Sequence, residues 1–242
     1  NENADVYVFA GDLGLNRKEH FRKSLEFFRS ALGSKPILLV RGNHDFQDCT
    51  FNFHSYHWRI FQKSFRAMLQ QQAEWFQEFD IHHLQDNSLQ FGDHLFVGWD
   101  GWYGTAERDL DKRRKELFIA TGKRIPAPSD PDRLTPYIDG MRTYEWLRLK
   151  SEECFQNALN AAKAFPGGRE KVIAITHMPP YLTVPTEELH DGDLTQLQRI
   201  APFAATLMHG HSHKFSNEIM NGVRVLNAGS DYDKPQYMSL KY

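Results

Sequence analysis

The chain has 242 residues, 40% hydrophobic and 25% charged, which suits one domain spanning 1–242 with a substantial core and excludes a mainly disordered polypeptide. Its formal charge of −2 and pI near 6.7 argue against a global field aimed at nucleic acid or an anionic membrane. Cys49 and Cys154 lack CxxC spacing, the apolar runs fall well short of the roughly 18 residues that span a bilayer, and no signal-peptide pattern opens the chain. Free thiols, a cytoplasmic location and no membrane partner are the expectations.

Val6–Ala10 and Ile37–Val40 are short apolar runs bounded by turn residues, the pattern of strands buried on both faces. Between them Asn16 and Glu19 form a capping-box pair, Phe21, Leu25, Phe28 and Leu32 recur at helical spacing, and Gly33 can stop the helix, giving a βαβ unit. A second helix is expected over 61–79, with Phe65, Leu69, Trp75 and Phe76 on its apolar face, as part of a cap. Ser88–Phe91 and His94–Val97 read as a hairpin turned by Gly92-Asp93. From 105 to 139 charge and proline replace any period, which predicts an exposed excursion; the cap or excursion as a whole falls within 47–140. A long helix then runs over 141–165 and ends at Gly167-Gly168. Val172–Thr176, Ala205–Met208, Asn217–Ile219, Val223–Asn227 and Met238–Lys241 complete the expected strands.

Chemistry-bearing clusters follow several of these strands: GDLG at Gly11–Gly14, GNHD at Gly42–Asp45, THMPP around His177 and GHSH at Gly210–His213, with NAGS at Asn227–Ser230. Open α/β sheets place ligands at such carboxyl strand ends. Asp12 suits either a turn or a carboxylate bridging two divalent ions. Asn43, often just a turn residue, offers a hard amide oxygen suited to manganese, iron or magnesium. His44 reads either as a surface histidine or as a general acid whose ring Asp45 fixes or makes more basic. His177 emerges from a strand into the rigid Pro179-Pro180 loop, and His211 and His213 can present two imidazoles from one turn. His209 is expected to face away or pack.

These clusters, over nearly the whole length, resemble the calcineurin-like metallophosphoesterase superfamily, whose order is DxH, GD, GNHD or GNHE, H, then GHxH. The resemblance implies an α/β fold, a four-layer α/β/β/α sandwich, and two divalent ions, Mn²⁺ first with Fe, Zn or Mg as alternatives. It implies that Asp12 bridges the ions, that Asn43, His177 and His211 complete one metal site, and that His213 binds the other. His44 would be the acid toward a leaving alkoxide, and a hydroxide held between the ions would attack phosphorus. NAGS would support the site without supplying ligands.

One piece is absent: no DxH precedes Gly11, since Asp5 is followed by Val6-Tyr7. The favoured expectation is that the opening strand lies upstream of Asn1; the alternative is a variant with one competent metal position. Asp231 and Asp233 are poor substitutes. His54, His57 and Trp58, and Trp99, Trp102 and Tyr103, are candidate rim residues for a base, although core packing suits most of them better. The Lys112–Lys115 run reads first as a mixed-charge solvated face. GDLGLNR lacks the GDxxDRG form of the family's protein-phosphatase branch, so a small phosphomonoester or phosphodiester, a nucleotide included, is the expected partner, with no protein partner assigned. The rival reading is a non-catalytic interaction module on the same fold.

Overall fold

The computed structural model describes residues 4–14, 18–46, 58–102, 112, 115–116, 118–119, 122, 137–139, 141–180, 192–230 and 236–240, with the backbone alone at 18, 58–64, 137 and 194. Asn16, Cys49, His54, His57, Tyr103, Asp231, Asp233, the side chain of Trp58 and most of the expected excursion lie outside the described residues.

The first βαβ unit runs from β1 (Tyr7–Ala10) through α1 (Lys18–Leu32) to β2 (Ile37–Val40). Gly33 ends α1 at φ +63°, with its N–H donating to the Arg29 carbonyl at 3.0 Å, the left-handed stop that glycine permits without Cβ strain. The short turn α2 (Asn43–Phe46) leads toward α3 (Trp58–Glu78) and β3 (Ile81–His83). Strands β1, β2 and β3 form a parallel sheet in the order β1-β2-β3.

The second sheet has six strands. Its members are β4 (Leu89–Phe91), β5 (His94–Trp99), β8 (Val172–Thr176), β9 (Thr206–His209), β10 (Phe215–Met220) and β11 (Val223–Ala228), in the order β10-β11-β9-β8-β5-β4. Its centre, β5-β8-β9-β11, is parallel, and antiparallel β4 and β10 close the two edges. A small ladder of β6 (Tyr137–Ile138) and β7 (Met141–Arg142) precedes α4 (Thr143–Ala164), and α5 (Leu194–Ile200) follows β8.

Strand alternation sets the layers. On β2, Ile37 and Leu39 meet Phe21, Leu25, Trp75 and Phe76 of α1 and α3, while Leu38 and Val40 face the other way. On β8, Ile173 and Ile175 join Leu38 and Val40 between the sheets, while Val172 and Ala174 meet Phe155 and Leu159 of α4 and Leu197 and Ile200 of α5. The result is helix, sheet, sheet, helix: the expected four-layer α/β/β/α sandwich. Both sheets are covered on both faces, which is why the central strands read as unbroken apolar runs.

Some expectations change. Helix α3 is a layer helix and not part of a cap, because Trp75, Phe76 and Phe79 bury against α1 and β2. Residues 141–142 pair as β7, so the long helix starts at Thr143. Residues 238–240 of the expected last strand have no regular structure, and Lys241 lies outside the described residues. Trp99 and Trp102 are buried, Trp99 donating from Nε1 to Gln196 Oε1 at 2.8 Å, so for both the favoured core-packing reading stands and the rim alternative falls.

Candidate metal centre

Four loops leave the carboxyl ends of parallel strands and meet: Gly11–Gly14 after β1, Arg41–Asp45 after β2, His177 after β8 and Gly210–His213 after β9. The first two are laced together by exchanged carboxylates. Asp12 Oδ1 accepts the His44 N–H at 2.9 Å. Asp45 accepts the N–H groups of Asp12 (2.9 Å), Gly14 (2.7 Å) and Gly42 (2.8 Å). These bonds hold Asp12 at φ +62°, a conformation costing an L-residue about 1–2 kcal/mol. Gly42 permits the approach: a Cβ there would collide with the Asp12 carboxylate.

His177 joins the two sheets at this point. Its Nδ1 lies 2.6 Å from the Ala10 carbonyl, which can only accept, so Nδ1 carries a proton and Nε2 presents a lone pair whenever the ring is neutral. Around Nε2 stand Asn43 Oδ1 at 3.0 Å, His211 Nδ1 at 3.1 Å and Asp12 Oδ2 at 3.2 Å. Among the described residues Asp12, His177 and His211 form one group whose donor atoms lie within 4.8 Å of one another. Asp12 Oδ2 is buried without a well-formed hydrogen bond, despite the nearby imidazole. Lone pairs converging in a buried place repel unless a cation or a proton stands among them.

The protonation states reflect this. Burial would push the Asp12 carboxyl up, but the closeness of His177, with His44 and His211, outweighs it and holds Asp12 well below the usual range whenever His177 is charged. Burial works against charge on His177, yet Asp12 raises it above its ordinary value. Burial and the Asp12 charge push Asp45 up to about 6 against the Gly42 and Gly14 amides.

The family model for calcineurin-like phosphoesterases matches residues 1–215. The chain belongs to that family. Phosphopantetheinyl hydrolase from Mycobacterium tuberculosis is similar in structure at 17% identity, covering 92% of this chain and 78% of that one with a TM-score of 0.64. A second solved structure, TT1561 of Thermus thermophilus, is similar at 15% identity, covering 93% and 77% with a TM-score of 0.51. No curated protein matches the sequence. Membership supports phosphoester hydrolysis with divalent metals in general terms, and the two structures support the fold.

In this calcineurin-like phosphoesterase the expected residues sort by position. Asp12, Asn43, His177 and His211 come together. His213, at φ +50°, is not in the converging group, although it follows His211 in the same loop. His44 is partly exposed between buried Asn43 and Asp45, near enough to act on the Asp12 charge. The two Asp45 oxygens accept three backbone amides, so beside its expected action on the His44 ring Asp45 braces the two loops. His209 is buried and held down to about 4 by burial and by His177, so it packs as a neutral ring. Asn227 of NAGS donates to the Gly210 carbonyl (2.9 Å) and Ser212 Oγ (2.8 Å) and accepts Gly229 N–H (2.7 Å), bracing the GHSH loop. The sequence reading missed Gln85 and Asp100, although Asp100 directly follows an apolar strand, as Asp12 does.

Proposed function

We propose that this chain hydrolyses a small phosphomonoester or phosphodiester with divalent metal held by Asp12, Asn43, His177 and His211. The observation that carries the reading is the convergence of Asn43 Oδ1, His211 Nδ1 and Asp12 Oδ2 on His177 Nε2, all within 3.2 Å, from loops of two different sheets. Two oxygen and two imidazole donors suit manganese first, with iron, zinc and magnesium as alternatives, and the orphaned Asp12 Oδ2 is the atom a cation would satisfy. A divalent ion there supplies Lewis-acid charge to a phosphoryl oxygen and a nucleophile at neutral pH. A pure interaction module has no physical need for such a cluster.

The chain's own groups divide the remaining work. Asp12 would be the carboxylate shared with a second ion, for which His213 is the proposed imidazole. His44, at the solvent edge of the buried GNHD turn, delivers a proton to the leaving oxygen. Asp45 fixes the loops that carry Asp12 and Asn43. No helix among the described residues is long and apolar enough to cross a membrane, and a cytoplasmic setting fits the half-buried free thiol of Cys154.

The test combines metal analysis with hydrolysis of p-nitrophenyl phosphate and bis-p-nitrophenyl phosphate in manganese. Metal binding with turnover of either ester, both lost in His177→Ala, supports the reading. A folded protein that binds no divalent metal and cleaves neither ester refutes it.

A further inference from the structure

Behind the metal-binding loops a second polar chain crosses from one sheet to the other. Gln85 follows β3 and is buried; its Oε1 accepts the Arg41 N–H at 2.8 Å, directly before Gly42 and Asn43. Its Nε2 donates to Asp100 Oδ2 at 3.1 Å. Asp100, buried at the end of β5, accepts the N–H groups of His177 (3.2 Å) and Met178 (3.0 Å) through its main-chain carbonyl. A continuous path therefore links Arg41, Gln85, Asp100 and His177.

The surroundings fix the polarity of this path. Arg41 N–H requires an acceptor and the Asp100 carboxylate requires a donor, so the Gln85 amide has one orientation. His83 Nε2 stands 2.7 Å from the same Gln85 oxygen, and Trp102 N–H donates to Asp100 Oδ1 at 3.2 Å. The sheets are close here: a Cβ on Gly98 of β5 would stand 2.6 Å from the Leu84 side chain. Asn43 leaves one sheet after β2 and His177 the other after β8, so their 3.0 Å separation depends on the relative setting of the two sheets.

We propose that Gln85 and Asp100 are positioning residues, a cross-sheet strut that sets the spacing of Asn43 against His177. This rests on the metal-site reading above. Cutting the strut leaves all metal donors in the chain but lets the two loops separate, which weakens metal binding as lost outer hydrogen bonds generally do.

The test exchanges the amide and the carboxylate. Gln85→Glu sets two acceptors face to face, and Asp100→Asn leaves one oxygen where Gln85 Nε2 and Trp102 N–H each take one, whereas the double variant restores the match in reverse and keeps the net charge. Calorimetric titration with Mn²⁺ should show each single variant binding about 10- to 100-fold more weakly, with most of that loss recovered in the double variant. Singles that bind like the wild type, or a double variant no better than the singles, overturn the strut. A wild type that binds no Mn²⁺ sinks the metal reading instead, and the strut is then judged on metal-free protein by hydrogen exchange. There Asp100→Asn should speed exchange of the Arg41 amide, which Asp100 does not touch, by about tenfold, with recovery in the double variant. Unchanged exchange at Arg41 overturns it.

Discussion

Asp12 and Asp45 each take a backbone N–H from the other's loop: Asp12 Oδ1 from His44 at 2.9 Å, and Asp45 Oδ2 from Asp12 at 2.9 Å. The exchange couples two segments more than thirty residues apart and leaves the second oxygen of Asp12 free to face His177. The carboxylates thus separate into a ligand and a brace.

Replacing the brace should cost stability first. Asp45→Ala strips the acceptor from three backbone amides, and we expect a loss of about 3 kcal/mol or more, read by urea unfolding of metal-free protein. A variant as stable as the wild type but with a shifted pH–rate profile would instead make Asp45 a tuner of His44.

His44 should behave differently. His44→Ala is expected to retain metal and fold while losing about 10²–10⁴ in turnover. The loss should be larger for an alkyl diester than for a p-nitrophenyl ester, because p-nitrophenolate leaves without help. Equal losses across leaving groups would contradict proton delivery by His44.

Metal binding should depend on pH through His177. Asp12 raises this imidazole above its ordinary value, so a proton on Nε2 competes with the cation up to and somewhat beyond pH 6.5. Affinity should fall as the pH drops through that range, and calorimetry in buffers of different ionisation enthalpy should show proton release on binding. Binding independent of pH between 6 and 8 would remove His177 from the ligand set.

His209 should tilt the stability of metal-free protein in acid. Its folded value near 4 lies below the unfolded value near 6.5, so between these limits the unfolded chain binds the extra proton and stability is lost as the pH drops. The difference is on the order of 3 kcal/mol by pH 4. Unfolding in EDTA across this window should show a shallower slope for His209→Gln; an unchanged slope would mean that the buried ring does not titrate as placed.

Most of the layered fold is legible in the sequence because strands covered on both faces must be apolar at every position, as ILLV of β2 and VIAIT of β8 are. Strand β3 escaped notice because three residues, IHH, carry no period. Helix α5 is only seven residues long, and its Asp193 cap is clear only once Asp193 Oδ1 is seen to accept Thr195 N–H at 2.8 Å. Among the site residues, Asp12, Asn43, His177 and His211 were readable because each follows a strand. Asp45 as a brace and the Gln85–Asp100 link were not, since hydrogen bonds between residues far apart leave no local pattern. Trp99 was readable only as far as the preference for core packing, and its partner Phe155, far away in sequence, was not.

The most direct measurement is diffraction at the manganese absorption edge from crystals soaked in Mn²⁺. We expect an anomalous peak within coordinating reach of Asp12, Asn43, His177 and His211. No peak at saturating metal, or peaks only elsewhere on the molecule, would rule out a metal centre at these four residues.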